Sequence, residues 1–145
     1  MNETTPVLTF RLHDQRYGLR VAEVIEVMAM VAVEPLSGAH PSIAGIINRH
    51  GQPIPLIDLR VVVNKRAQPP SVSSMFIVAA HNGRLAGLMV DEIFQVQYVA
   101  RFSPAPQGTP FVTEIFTEGD SVTQMMSVAT LLNRFVQDEG SAERG

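Results

Sequence analysis

The side chains of this sequence best suited to chemistry are two carboxylates and four histidines. Asp58 and Asp91 each follow an apolar strand-like run, and two carboxylates facing each other across a cleft are what general acid and base chemistry uses. An Asp at a strand end more commonly accepts backbone hydrogen bonds from the turn that follows, and that reading is preferred for both. His13, His40, His50 and His81 are scattered over turns, loops and one hairpin. No pair has the spacing that sets two imidazoles on one helix face, so they read as solvated turn residues. The sequence has no cysteine, which removes disulfides, thiolate metal sites and a thiol nucleophile together. Glycine-rich phosphate loops and G-x-S-x-G elbows are also missing from the pattern. The expectation is no catalytic residue, no metal and no cofactor.

The elements around these residues are short and β-like. The clearest is a hairpin from Gly45 to Arg60, in which the run Gly45 to Ile47 meets a polar corner at Gly51 and Ile54 to Leu59 returns. Pro53 and Pro55 cannot donate ladder hydrogen bonds, so they belong to an edge or to the beginning of the returning strand. Val7 to Leu12 and Arg16 to Val21 form a first hairpin around His13-Asp14-Gln15. Met75 to Ala80 and Arg84 to Val90 form another around His81-Asn82-Gly83, where Asn-Gly is a strong turn signal because both residues tolerate positive φ. Val24 to Val33 is nearly all apolar. It is either a strand covered on both faces or a short helical turn feeding a strand, and periodicity alone does not choose.

Two ten-residue segments repeat. Gly18 to Val27 aligns without gaps on Gly87 to Val96, with identity at glycine, leucine, glutamate and two valines, so two halves on one hairpin plan are expected. In the last third, Phe111 to Phe116 alternates, Glu118-Gly119-Asp120 turns, and Ser121 to Ser127 reads as a strand. Ser127 is placed to cap a helix from Val128 to about Val136. The segments 1–6 and 137–145 read as loose tails, Asn64 to Ser74 as a mobile surface loop, and 7–136 as a single domain. Eight to ten strands and one terminal helix make the architecture mostly β, as barrels or a sandwich.

Composition narrows the partners. At 145 residues the chain can bury a real core. A net charge of −3 and a pI near 5.7 leave no basic footprint for nucleic acid or anionic lipid. No apolar run approaches the roughly 20 residues that span a bilayer, and the N-terminus lacks signal-peptide features, so a cytoplasmic protein without membrane insertion is expected. Yet 46% of residues are apolar, only 17% are charged, and seven are methionine. Part of that surplus fits a partner-binding surface, where methionine adapts its shape at low cost.

The pattern G-x-x-N-x-x-G-x-x-x-P-x-x-D-L-R, here Gly45 to Arg60, resembles the CheW-like domain of bacterial chemosensory systems. Gly18 to Val27 and Gly87 to Val96 are similar to further blocks of that family, and the resemblance extends from about Val7 to Leu132. It implies two small SH3-like five-stranded β-barrels packed together, interleaved within one domain, with a short C-terminal helix. It also implies a non-enzymatic adaptor that couples chemoreceptors to a CheA-type histidine kinase and is recruited to receptor arrays at the membrane. Carried over, the receptor signalling tip docks in a groove between the barrels at Val24, Glu26, Val27, Ile93 and Val96, with Gly45 and His50 adjoining. Gly18, Gly51, Pro55, Asp58, Arg60, Gly87 and Asp91 are the motif positions. The kinase regulatory domain pairs barrel to barrel at another face.

The corner departs from the family pattern, because His50 stands where the family has arginine. Strand alternation predicts that Arg49 points the wrong way to replace it unless a bulge intervenes. Weaker or retuned receptor coupling is therefore expected. The competing readings are a small-ligand or enzymatic β-barrel using Asp58, Asp91 or a histidine in a cleft, and a degenerate adaptor that has lost one partner. An open apolar groove flanked by the repeated segments distinguishes the adaptor from an enclosed polar pocket.

Overall fold

The computed structural model describes residues 3–63 and 75–136. The expected surface loop from Asn64 to Ser74, the tail 137–145 and the first two residues lie outside the described residues. The first half of the chain forms β1 (Thr5–Leu12), β2 (Gln15–Arg20), a 3-10 turn (Val21–Glu23), β3 (Val24–Ala29), β4 (Ile43–Arg49), β5 (Gln52–Asp58) and a single helical turn α1 (Leu59–Val62). The second half forms β6 (Met75–His81), β7 (Arg84–Met89), β8 (Glu92–Val99), β9 (Ser103–Pro104), β10 (Val112–Glu118), β11 (Ser121–Met126) and α2 (Val128–Phe135). Strand β1 begins at Thr5, so Thr5 and Pro6 belong to a sheet and not to a loose tail. Within Val24 to Val33, Val24–Ala29 is a strand with every second residue exposed, and the helical turn Val21–Glu23 comes before the stretch, so neither alternative describes it as expected.

The turn chemistry acts as expected. Asn82 and Gly83 both have positive φ, 52° and 78°, which is the twist that a two-residue hairpin needs. Pro53 and Pro55 pair with Asn48 and Ile46 of β4, at the start of β5, while the parallel pairing of β5 with β7 begins only at Leu56. The missing proline N–H groups therefore cost the second ladder nothing.

Two sheets result, and each is a small SH3-like barrel. The first runs β8-β1-β2-β11-β10-β9, five full strands plus the two-residue β9, and the second runs β3-β6-β7-β5-β4. Each barrel takes strands from both halves of the chain. The hairpin β1–β2 is extended by β8, β10 and β11 from the second half, and the hairpin β6–β7 by β3, β4 and β5 from the first.

The internal repeat reaches far beyond ten residues. The sixty-nine positions that separate Gly18 from Gly87 also carry β2 onto β7, β4 onto β10, and the helix cap Asp58 onto Ser127. The same offset carries the bulge between Ile43 and Gly45 onto that between Val112 and Glu114. It also takes the bridge Glu34 to Ile46 onto Ser103 to Ile115. The chain is thus two structural copies, and each barrel joins the first hairpin of one copy to the later strands of the other.

Alternation within the strands builds three apolar layers. On β6, Phe76 and Val78 point into the second barrel, while Ile77 and Ala79 face the first barrel across a central cluster. On β1, Val7 points into the first barrel, while Leu8, Phe10 and Leu12 face that same central cluster. These strands are buried on both faces, which is why they read as continuous apolar runs. The central layer, capped by Leu131 and Leu132 of α2, absorbs much of the apolar surplus. Gly18 and Gly87 are equivalent packing positions: an added Cβ would lie 2.7 Å from Val7 Cγ1 at the first and 3.0 Å from Leu56 Cδ1 at the second.

Candidate functional site

The seven expected groove residues fall into two groups. Val24, Glu26, Val27, Gly45 and His50 lie on or beside β3 and β4, the two ends of the second sheet. Ile93 and Val96 lie on β8, an end strand of the first. The offset of the two copies carries Val24 onto Ile93 and Val27 onto Val96. Val24 and Ile93 are half-buried against the central cluster. Val27 and Val96 are exposed by 37% and 43%, one on each barrel. The stripe on β3 continues through Ile25, 50% exposed, to Met75, which pairs with Ala29. The stripe on β8 ends at Tyr98, 72% exposed.

Glu26 is the centre of the second barrel's seam. Its Oε2 accepts a hydrogen bond from Arg49 Nε at 2.7 Å and lies 2.6 Å from Arg49 Nη2 and 3.2 Å from His50 Nε2. The expectation that Arg49 points away from this position is overturned. His50 has left the strand and sits in a left-handed turn with φ of 50°, so the alternation that would separate the two side chains no longer applies. A guanidinium therefore reaches the carboxylate from position 49. Burial pushes the Glu26 carboxyl up, but Arg49 and then His50 outweigh it, and its pKa lies below the ordinary 4.5. Gly45 is buried on the same seam and shapes it through its backbone. Its φ is 152°, and a Cβ there would lie 2.2 Å from the Glu34 carbonyl oxygen. Gly51 occupies the hairpin turn with φ of 86°, where its N–H donates to Asn48 Oδ1.

Asp58, Arg60 and Asp91 are brought together, the first two buried and Asp91 half-buried. Asp58 caps α1 by accepting the Arg60 N–H at 3.0 Å, and the Arg60 side chain returns to it from Nε at 3.0 Å and Nη2 at 3.1 Å. Arg60 Nη1 reaches Asp91 Oδ1 at 3.5 Å, while Asp91 Oδ2 accepts the His13 N–H at 2.6 Å. Burial works against the Arg60 charge, but the hydrogen bonds and charge of Asp58, followed by Asp91, outweigh it and raise its pKa further. A fixed cation bridges the two carboxylates, and their oxygens are engaged by it and by backbone N–H groups, which is a structural role and not the open arrangement that acid and base chemistry uses. The backbone reading of Asp58 holds. Asp91 differs in serving the β1–β2 turn and not its own.

Two cavities formed by described residues lie elsewhere. One of about 180 Å³ is lined by Tyr17, Val62, Phe111 and Gln124, and one of about 480 Å³ by residues of β8 and β10 including Gln97, Tyr98 and Glu118. Neither includes Asp58, Asp91 or a histidine. Among the described residues no group of three His, Asp or Glu side chains is placed to hold a metal ion, and no helix is long and apolar enough to cross a membrane. The sequence reading missed the outward stripes as stripes. Their signal was the repeat itself, which carries apolar residues at the same alternating positions in both copies.

Comparison with known proteins places these features in one family. A family model described as "CheW-like domain" matches residues 6–136. The Chemotaxis protein CheW of Rhizobium meliloti is 28% identical over 94 residues, covering 65% of this chain and 61% of that protein, so the match spans about three-fifths of the relative's length. The Chemotaxis protein CheW of Klebsiella aerogenes is 25% identical over 133 residues, covering 87% of this chain and 80% of that protein. Among solved structures, the scaffolding protein TtCheW of Thermoanaerobacter tengcongensis superposes with a TM-score of 0.79 at 28% identity, covering 88% of this chain and 90% of that one.

Proposed function

The chain belongs to the family of CheW-like domains, and from that premise we propose that it is a non-enzymatic chemotaxis adaptor coupling receptors to a CheA-type histidine kinase. The observation that carries this reading is the pair of apolar stripes, Ile25 and Val27 on β3 and Val96 and Tyr98 on β8. Solvated β-branched and aromatic side chains at alternating strand positions are an interaction surface more than a core. One stripe on each barrel supplies an apolar wall to either side of a groove between them, which suits an elongated protein partner better than an enclosed small ligand. In this reading the receptor signalling tip lies along the groove between Val24, Val27, Ile93 and Val96, next to the Glu26 clasp. The kinase regulatory domain takes a barrel face outside that groove, and both contacts hold the protein at receptor arrays.

Because Arg49 supplies the guanidinium at the clasp, His50 does not by itself imply weak receptor coupling. The test is titration of the full chain with a receptor tip hairpin and, separately, with the kinase regulatory domain. Binding to both, with the receptor arm lost in Val27→Glu and Val96→Glu while the kinase arm survives, is expected. Binding to the kinase alone would establish an adaptor that has lost one partner. Binding to neither would sink the coupling function.

A further inference from the structure

The two copies cross between the barrels at equivalent places. The first crossover runs from Arg20 of β2 through the turn Val21–Glu23 into β3, and the second from Met89 of β7 through Val90 and Asp91 into β8. These crossovers set where the two stripes stand, yet they are held very differently.

The second crossover is tied down at three points. The Asp91 carboxylate receives Arg60 on one oxygen and the His13 N–H on the other, and the Asp91 N–H donates to the Arg11 carbonyl at 3.0 Å. Arg11 in turn donates from Nη1 to the His13 carbonyl at 2.6 Å and from Nε to Glu92 at 3.2 Å. Arg60 itself is 5% exposed and locked to Asp58. Elements of both barrels therefore converge on one residue of the connection.

At the first crossover the equivalent residues are Ala22 for Asp91, Ala129 for Arg60, Ser127 for Asp58 and Asn82 for His13. No carboxylate stands at position 22 to receive the turn, and no guanidinium stands at position 129. The turn Val21–Glu23 has no side-chain cap and no buried residue, and its side-chain ion pair is Glu23 to His81 at 3.9 Å.

We propose that Asp91, held by Arg60 and Asp58, is a positioning residue that pins β8 to the other barrel, leaving β3 as the adjustable side of the inter-barrel groove. This rests on the adaptor reading for its use, since a groove with one fixed and one yielding wall lets a partner on β3 shift that strand while the β8 face keeps its place. Buried, hydrogen-bonded charge resists local opening because exposing one member leaves the others unpaired in low dielectric. A turn without a side-chain cap, held by the partial packing of Val21 on the central cluster and by one long ion pair, opens at less cost.

Amide hydrogen exchange on the free full-length chain tests the asymmetry without any partner, so its failure and a failure of the adaptor reading are separable. In the wild type, ladder amides of β8 are expected to exchange at least about tenfold more slowly than the equivalent amides of β3. Asp91→Ala is expected to bring β8 to the rate of β3 while leaving β3 unchanged. Asp91→Asn, which keeps an acceptor for the His13 N–H but loses the charge facing Arg60, is expected to fall between. Equal rates in the wild type would overturn the proposal even if neither variant folded. So would an acceleration of β3 and β8 by the same factor in Asp91→Ala, because that is the signature of global destabilisation.

Discussion

The two barrels share one backbone plan and fill it differently. In the second, the interior positions Met28, Ile54, Val78 and Met89 are apolar and pack with Phe76, Leu56 and Ile47. The offset of the two copies places Gln97, Thr123, Thr9 and Arg20 at the same positions of the first barrel, around the smaller cluster of Val7, Val99, Phe116 and Met125. Thr9 donates its hydroxyl to the Gln95 carbonyl at 2.8 Å, and Arg20 snorkels out to Glu114 at 2.8 Å across the Phe102 ring. Gln97 donates to Glu118 at 2.9 Å, but its buried Oε1 lacks a protein partner. The seams diverge similarly: Glu26 with Arg49 clasps the second barrel, while Glu118 stands in the first at the position equivalent to Arg49. The comparison teaches that the shared fold needs the glycines, turns and bulges common to both copies. Barrel filling and seam chemistry are free to diverge because the central layer supplies much of the common burial.

Arg60→Met leaves Asp58 buried without its cation, a loss of about 3–5 kcal/mol in denaturant unfolding; Ala129→Met at the equivalent place should cost far less. A small loss at Arg60 would mean that the asymmetric latch is ornamental. Gly45→Ala drives a Cβ into the Glu34 carbonyl and is expected to cost roughly 2–4 kcal/mol. Glu114→Ala, at the equivalent bulge of the first barrel, loses only a half-exposed ion pair, about 1 kcal/mol or less.

Gln97→Met makes the first barrel resemble the second and removes the unsatisfied oxygen. It is expected to stabilise by about 1 kcal/mol, raising the unfolding midpoint; destabilisation would imply that the oxygen is satisfied by internal water. Glu26 carries a pH signature. Its pKa is below 4.5 in the folded chain, so the unfolded chain binds that proton more readily. The stability it contributes is present above pH 4.5 and is lost as pH falls through the lower folded value. Glu26→Gln should flatten the acid limb of stability against pH, whereas Gln95→Ala, at the equivalent uncharged position, should leave that limb unchanged. The smallest effect is expected for His50→Gly, which installs the residue found at the equivalent Gly119 in the same left-handed turn. Calorimetry should place it within about 0.5 kcal/mol of the wild type, and a larger loss would show that His50 shares the clasp with Arg49.

Much of the fold was legible from local patterns. The Asn82-Gly83 turn, the Ser127 cap and the strand alternation each act over a few residues, so short-range chemistry decided them. The β-barrel character, the duplication and the terminal helix follow from such signals. The two-residue β9 and the turn α1 were not visible, because one is defined by a partner strand and the other by a cap whose acceptor is also a buried ion-pair member. The expected groove residues were legible as positions but not as a surface. Exposure of Val27 and burial of Gly45 both depend on which strand ends a sheet.

What the sequence determined alone is the inventory of elements and their doubling, since turns, caps and periodicity are properties of neighbours along the chain. Only the tertiary structure decided that each copy's first hairpin closes a barrel with the other copy's later strands. It alone brought Arg49 to Glu26 and placed Asp91 between Arg60 and the β1–β2 turn. Those outcomes join residues far apart in sequence through backbone pairing and buried charge, whose energies depend on distance and dielectric in the folded chain.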